Sequence, residues 1–282
     1  MKYAVVLLVL LTACAAPPSS HLRIATSFFP LYDLTKAIVG NQAEAYSLVP
    51  AGTEPHEYEP SPSDSRHVAE SAAFVTMGVE FAPFEDKLAN AAERVKIIRA
   101  GTDVPLITSG DVTDPHIWLS PKNAKIMAQN IAQGIIALDS VNAAEYEQNA
   151  QELQKQLDSL DADFTAGLAG CQKHTVLVSH NAFSYLGRDY GFETIHISGL
   201  EPETEPTPMQ IKDIVDTAKR NDLHYVFYEE LVDPRVAQTI AEEVGAKTLE
   251  LSPLEGSGNP QDTYVSLMRQ NLKNLRIALE CA

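Results

Sequence analysis

The chain has 282 residues, with 38 acidic against 21 basic side chains and a formal net charge of −17 at pH 7. This excess of negative charge argues against nucleic acid as a partner, because the phosphate backbone would repel it. The length exceeds what one hydrophobic core usually holds, so we expect the chain to fold as two lobes.

The N-terminus has the features of an export signal. Lys2 precedes the apolar run YAVVLLVLL, which is too short to span ~30 Å of bilayer as a helix. The tetrapeptide LTAC resembles a bacterial lipobox, so we predict a signal peptide over residues 1–13, lipidation of Cys14 and a tether over 14–20. The alternative is an ordinary cleaved signal with Cys14 as an incidental thiol. With the lipobox, the protein would be exported and anchored to a membrane, periplasmic or at the cell surface.

Strand and helix patterns alternate over residues 21–141, which we assign to an N-terminal α/β lobe. The segments in chain order are LRIATS, PLYDLTKAIVG, EAYSLVP, SRHVAESA, AFVTMG, FEDKLANAA and VKIIRA, followed by a loop that leads to His116.

Residues 142–169 show one long amphipathic pattern. Apolar side chains recur every three or four positions, at Tyr146, Ala150, Leu153, Leu157, Leu160, Phe164 and Leu168. At 1.5 Å per residue the helix would be about 42 Å long. We interpret it as a rigid connector between two lobes that allows only a small domain movement. A coiled-coil partner helix is the alternative, although only about three heptads are present.

The alternation resumes over residues 170–282, which we assign to a C-terminal α/β lobe. Its segments are TVLVSH, AFSYLGRDYG, TIHISG, PMQIKDIVDTAKRND, HYVFYEE, DPRVAQTIAEEVGA, KTLELSP and a terminal helix from about Gln261. The predicted fold class is therefore α/β, with two lobes joined by one helix.

Three of the eight histidines, His56, His116 and His180, lie in segments that hold a side chain in place. Two directly follow a proline, which fixes the preceding backbone, and His180 ends a β-rich run. Their wide spacing excludes a local zinc module and indicates a metal site in a cleft. A single histidine is more often a turn or core residue than a ligand. We interpret the others as surface or core residues: His21, His67, His174, His196 and His224.

If lipid modifies Cys14, two cysteines remain, Cys171 and Cys281. An even pair in an oxidising compartment is often a disulfide, so these two are the candidate pair, and the sequence leaves open whether they are bridged.

Five segments together resemble one family: VPAGTEPHEYEPSPSD, DPHIWLSPKNA, VSHNAFSYLGRDYG, ISGLEPETEPTP and DPRVAQTIAEEVGAKTLELSPLEG. The chain is similar to the solute-binding lipoproteins, called cluster A-I, that deliver zinc or manganese to ABC transporters. The resemblance implies two Rossmann-like lobes bridged by a long helix, with a metal between the lobes on His56, His116 and His180 and on a carboxylate of the C-terminal lobe.

The fourth ligand departs from the commoner family pattern. Where many members have aspartate, this chain has Ser252, and we name Glu255, three residues on, as the residue that could reach into the cleft instead. Water as fourth ligand is the alternative. Glu229, at the end of a predicted strand, resembles a position beside the site and is expected to orient a ligating imidazole.

Three imidazoles with at most one carboxylate suit Zn(II), whereas an oxygen-richer site would suit Mn(II). The His-rich loop of many zinc members is missing between His56 and His116, which weakens this preference without reversing it. We therefore expect zinc, with manganese as the alternative.

The predicted function is capture of Zn(II) outside the cytoplasmic membrane and delivery to an ABC permease and its cytosolic ATPase. We expect a monomer that is not an enzyme. Because imidazoles bind metal unprotonated, affinity should fall as pH drops through roughly 6. The competing hypothesis is a zinc-dependent hydrolase in which Glu255 or Glu229 acts as general base.

Overall fold

The computed structural model describes residues 22–79, 81–202 and 206–282. The predicted signal peptide, Cys14 and the tether lie outside these residues. No helix in the described part of the chain is long and apolar enough to cross a membrane.

The N-terminal lobe is built on a four-stranded parallel sheet in the order β2-β1-β3-β4. A short antiparallel hairpin, β5–β6, and a long helix follow the sheet. The elements are β1 (Leu22–Thr26), α1 (Phe29–Val39), β2 (Ala43–Ser47), α2 (Pro62–Ala69), β3 (Ala73–Thr76), α3 (Pro83–Ala91), β4 (Lys96–Arg99), β5 (Thr108–Ser109), β6 (Val112–Thr113) and α4 (Pro121–Leu138).

The C-terminal lobe has a second four-stranded parallel sheet, in the order β10-β9-β7-β8. Its elements follow the connecting helix α5 (Ala143–Gly167). They are β7 (Thr175–Val178), α6 (Ser184–Tyr190), β8 (Glu193–His196), α7 (Pro208–Arg220), β9 (Tyr225–Tyr228), α8 (Arg235–Val244), β10 (Lys247–Glu250) and α9 (Tyr264–Ala278). Two such sheets confirm the predicted α/β fold class.

Each sheet has a point at which the direction of strand addition reverses. In the N-terminal sheet it lies between β1 and β3, and in the C-terminal sheet between β7 and β9. Open α/β sheets bind ligands at the carboxyl ends of the strands at such a point, because the loops there diverge and leave a crevice. The topology therefore places one candidate crevice on each lobe.

The long helix α5, which spans Ala143–Gly167, confirms that one long helix lies between the two sheets. Its apolar side chains are buried: Tyr146, Leu153, Leu157, Leu160 and Phe164. They pack against α1 and α4 of the first lobe and against α9 of the second. Because the apolar stripe is used within the chain, no coiled-coil partner is needed to cover it.

Helix α4 is the largest element that was not assigned from the sequence. Its start carries the usual signals, since the Ser120 hydroxyl accepts the N–H of Asn123 and Pro121 stands at the first helical position. Its buried face packs on α5 and β4.

A disulfide joins Cys171 to Cys281 across 110 positions of sequence. Cys171 lies between α5 and β7, and Cys281 follows α9. The bridge thus fastens the C-terminal end of the last helix beside the amino edge of the second sheet.

Candidate metal centre

Two of the candidate residues lie at the reversal point of the C-terminal sheet. His180 follows the end of β7 by two residues, and Glu229 directly follows the adjacent parallel strand β9. Both are almost wholly buried, with 0% and 3% of their surface exposed. The sequence-based position of His180 at a strand's carboxyl edge is where the structure places it.

The other two histidines come from the N-terminal lobe. His56 lies in the turn between β2 and α2, and His116 lies between the β5–β6 hairpin and a single 3-10 turn over Ile117–Leu119. The His116 side chain is fully buried, whereas 6% of the His56 side chain remains exposed.

Glu255 reaches the same place from the loop between β10 and α9. The loop turns through Leu254, which adopts a left-handed backbone with φ of +57°. The hydroxyl of Ser252 accepts the N–H of Leu254 and donates to Glu230, so this serine shapes the loop. As a result Glu255 is directed inward and is 1% exposed.

The four side chains converge tightly, with one candidate ligand atom from each lying within 4.8 Å of the others. Oε1 of Glu255 lies 3.2 Å from Nε2 of His56, 3.6 Å from Nε2 of His116 and 3.5 Å from Nε2 of His180. The Nε2 atoms of His116 and His180 are 3.2 Å apart. Ligands at Zn–N and Zn–O distances of about 2.0 Å in a tetrahedron would be roughly 3.3 Å apart. Four of the six distances between the donor atoms are therefore those of a four-coordinate zinc ion, and the other two are at most 4.8 Å.

Carboxylates fix the orientation of two imidazoles. Nδ1 of His116 lies 2.9 Å from Oδ1 of Asp114, and Nδ1 of His180 lies 2.7 and 2.8 Å from the two oxygens of Glu229. A proton held on Nδ1 by such a partner leaves the Nε2 lone pair free for a metal.

Asp114 was not predicted from the sequence, although a signal was present. The two candidate ligands of the N-terminal lobe, His56 and His116, each follow an acid and a proline. The two sequences are Glu54-Pro55-His56 and Asp114-Pro115-His116. In each case the acid accepts the backbone N–H of the histidine two positions on, at 3.0 and 2.9 Å. The repeated acid-proline-histidine pattern thus indicates a turn closed by the acid.

The buried charges shift the protonation of the centre. Burial opposes a charge on His180, but the negative charges of Glu229 and Glu255 outweigh it and raise the pKa of His180 well above its ordinary value. Burial also opposes a charge on Glu255, but the positive charge of His180 and the hydrogen bonds from His180 and His56 hold its pKa far below the usual range.

Burial is the largest influence on the pKa values of His116 and of the neighbouring Glu54. Burial lowers the pKa of His116, which favours the neutral, metal-binding form. Burial and the negative charge of Glu255 raise the pKa of Glu54 to about 8. Without a metal, the centre is therefore expected to hold a proton on His180 next to an ionised Glu255.

The other described histidines, His67, His174, His196 and His224, do not belong to the cluster. His224, for example, is a half-exposed residue paired with Glu280 at the surface.

The sequence is similar to those of known zinc-binding proteins. Residues 24–278 match the family model described as ZnuA, zinc-uptake complex component A, periplasmic. The chain belongs to the ZnuA family. It is 33% identical over 94% of its length to the zinc-binding lipoprotein AdcA of Streptococcus pneumoniae, of which the match covers 58%. It is 31% identical over 92% of its length to the high-affinity zinc uptake system protein ZnuA of Bacillus subtilis, covering 88% of that protein.

Solved structures have the same fold. The laminin-binding protein Lmb of Streptococcus agalactiae, described as having adhesin and metal-transporting activity, superposes with a TM-score of 0.86 at 31% identity, covering 92% of this chain and 99% of that one. The Zn(II)-bound ZnuA-like domain of S. pneumoniae AdcA superposes with a TM-score of 0.83 at 33% identity. The match covers 93% of this chain and 100% of that domain. The chain therefore spans little more than half of AdcA, the part that forms its ZnuA-like domain.

Proposed function

We propose that this protein captures Zn(II) outside the cytoplasmic membrane and passes it to an ABC-type importer. The observation that carries the proposal is the convergence of His56, His116, His180 and Glu255 from two lobes, with one ligand atom of each within 4.8 Å of the others. Membership of the ZnuA family and the Zn(II)-bound state of a structural relative support the same cargo. In this proposal Glu255, rather than water, is the fourth ligand.

The composition of the centre favours zinc over manganese. Three imidazole nitrogens and one carboxylate form a small four-coordinate set, whereas Mn(II) prefers more oxygen ligands and a higher coordination number. The fully buried imidazoles of His116 and His180 leave little room for added water ligands. The preference follows from the number and type of donors that the fold brings together.

The arrangement suits a receptor better than a hydrolase. A catalytic zinc needs an open position for water, and here the Glu255 carboxylate points at that position. The other candidate general base, Glu229, directs both carboxylate oxygens at Nδ1 of His180. With Glu255 as a zinc ligand and Glu229 as the partner of His180, neither acid takes the position of a general base.

The proposed partners are a permease and its cytosolic ATPase, with Cys14 as the lipid attachment site. The description of the family as a periplasmic component and the lipoprotein character of AdcA support this location. The LTAC motif supplies the reason within this sequence.

The test is competitive titration of Zn(II) and Mn(II) into the purified chain without its lipid. We expect one zinc ion per chain, bound more tightly than manganese. His116→Ala should abolish tight binding, and Glu255→Ala should weaken it, because each removes one donor. His196→Ala, a histidine outside the cluster, is the matched control and should bind like the wild type. Zinc binding that survives His116→Ala would place the site elsewhere, and a preference for manganese would refute the proposed cargo.

A further inference from the structure

The tryptophan two residues after His116 makes a hydrogen bond between the two lobes. Trp118 is fully buried in the 3-10 turn that begins after His116. Its indole N–H donates to the carbonyl oxygen of Pro253 at 2.7 Å, across 135 positions of sequence. Pro253 lies two residues before Glu255, so the bond joins the segment that carries one candidate ligand to the loop that carries another.

The loop on the far side of this bond is held firmly. Ser252 and Asn271 of α9 exchange two hydrogen bonds, at 2.9 and 2.6 Å. Leu254 is fixed in a left-handed backbone by its bond to the Ser252 hydroxyl. A displacement of the Pro253 carbonyl would therefore move Glu255 as well, because the short loop has little freedom to absorb it.

The indole ring is held equally firmly on the side of the first lobe. Its centroid lies 5.1 Å from that of the His116 ring, and Phe28 and Phe81 contact it edge-on at 4.9 and 5.1 Å. The backbone carbonyl of Trp118 accepts a second hydrogen bond from the C-terminal lobe, from the Tyr264 hydroxyl of α9 at 2.6 Å. The indole cannot shift without disturbing the imidazole of His116.

We propose that Trp118 is a positioning residue that sets the distance between His116 of the N-terminal lobe and Glu255 of the C-terminal lobe. It does so through the indole N–H, and without it the carboxylate no longer completes the tetrahedron around zinc. This inference rests on the proposed function, since it assumes that both residues bind the ion.

Two replacements test the role of the N–H group. Trp118→Phe removes it and keeps an aromatic ring. Trp118 is also the single tryptophan of the chain, so global replacement of tryptophan by benzothienylalanine, in which sulfur stands for the N–H, changes this position alone and preserves the bicyclic shape. Tyr264→Phe is the matched control, because it removes a buried hydrogen bond to the same residue without touching the bond to Pro253.

Three measurements are made on each protein: zinc affinity by chelator competition, the visible spectrum of bound Co(II), and the unfolding of the zinc-free chain. Both replacements at position 118 should weaken zinc binding by about 10-fold, as for other residues that orient ligands, and should alter the Co(II) spectrum. Tyr264→Phe should lower stability but retain the affinity and the spectrum. In a Glu255→Ala background, Trp118→Phe should cause no further loss of affinity, because Trp118 acts through Glu255.

Zinc affinity within about twofold of wild type and an unchanged Co(II) spectrum in both replacements would overturn the inference. An equal loss of affinity in the Glu255→Ala background would also overturn it. These outcomes differ from failure of the proposed function, in which the wild-type protein itself would not bind one zinc ion tightly.

Discussion

Both carboxylate oxygens of Glu229 face Nδ1 of His180, at 2.7 and 2.8 Å. On the other edge of the ring, Nε2 lies 3.5 Å from Oε1 of Glu255. The imidazole is thus held between two buried acids, and their charges raise its pKa well above the ordinary value in spite of burial.

The first prediction follows from this raised pKa. The zinc-free centre holds a proton on His180 near neutral pH, and zinc must displace it, so binding should release about one proton per ion. Zinc affinity should then fall about tenfold per pH unit once the pH drops below the raised pKa of His180. The fall should therefore begin at a higher pH than the value of roughly 6 expected from the sequence. Calorimetry at pH 7 in buffers of different ionisation enthalpy measures the proton count. Glu229→Gln removes one of the negative charges that raise the pKa of His180, so it should reduce the number of protons released. Release of no proton by the wild type would contradict the prediction.

The second prediction concerns the acids that orient the imidazoles. Asp114→Asn keeps an oxygen that can accept the backbone N–H and the Nδ1 proton of His116. It removes the negative charge that makes Nε2 of the imidazole a better electron-pair donor to zinc. We expect zinc affinity to fall by about 10-fold, and by up to about 100-fold in Asp114→Ala. Chelator competition measures both. Asp33→Asn is the control, because this partly buried acid also accepts a backbone N–H, that of Tyr264, and does not belong to the metal-ligand cluster. If that variant lost as much affinity, orientation of His116 would not be the cause.

The third prediction concerns the buried acid Glu85 on α3, whose oxygens both accept the N–H of Met77 at 3.0 Å. Burial raises its pKa to about 7, from an ordinary value of 4.5. Between these two values the unfolded chain has lost a proton that the folded chain retains. The free energy of unfolding therefore decreases as pH rises through this window, by on the order of 3 kcal/mol.

Glu85→Gln removes this ionisation. The free energy of unfolding of the variant, relative to that of the wild type, should therefore increase from pH 5 to pH 8. Chemical denaturation of the zinc-free proteins at both pH values gives the difference. Asp86→Asn, which removes the neighbouring exposed charge on the same helix, should show no comparable change with pH. A Glu85→Gln effect that is equal at the two pH values would show that burial does not control this carboxyl.

The fourth prediction separates the disulfide from the metal centre. Replacing both cysteines, Cys171→Ser with Cys281→Ser, should lower the free energy of unfolding by on the order of 4 kcal/mol, because a bridge across 110 positions restricts the unfolded chain. Zinc affinity of the folded variant should remain at the wild-type value, since Cys171 precedes β7 and His180 follows it, at opposite edges of the sheet. Urea denaturation and chelator competition measure the two quantities. Weaker zinc binding at full folding would show that the bridge also shapes the centre.

The sequence predicted those parts of the fold and centre whose signals are local. The long stripe from Tyr146 to Leu168 predicted α5, and the turn motifs around His56, His116 and His180 indicated a shared site. The bond from Trp118 to Pro253 could not be predicted, because it joins two short segments that are remote in sequence. Glu85 was missed for a related reason. An acid in the first turn of a helix is usually exposed, and only the packing of α3 buries this one.

The burial of the centre also affects how an ion can leave it. His116 and His180 expose none of their surface, Glu255 exposes 1% and the His56 side chain exposes 6%. If these four residues hold the ion as proposed, a chelator in solution reaches it only after the ligands part. Removal of the ion by a chelator then takes two steps, opening of the centre and capture of the ion. At high chelator concentration, the rate of removal equals the rate at which the protein opens. The rate of handover to a membrane partner would then be set by how fast that partner opens the centre, whereas the relative zinc affinities would set only its final extent.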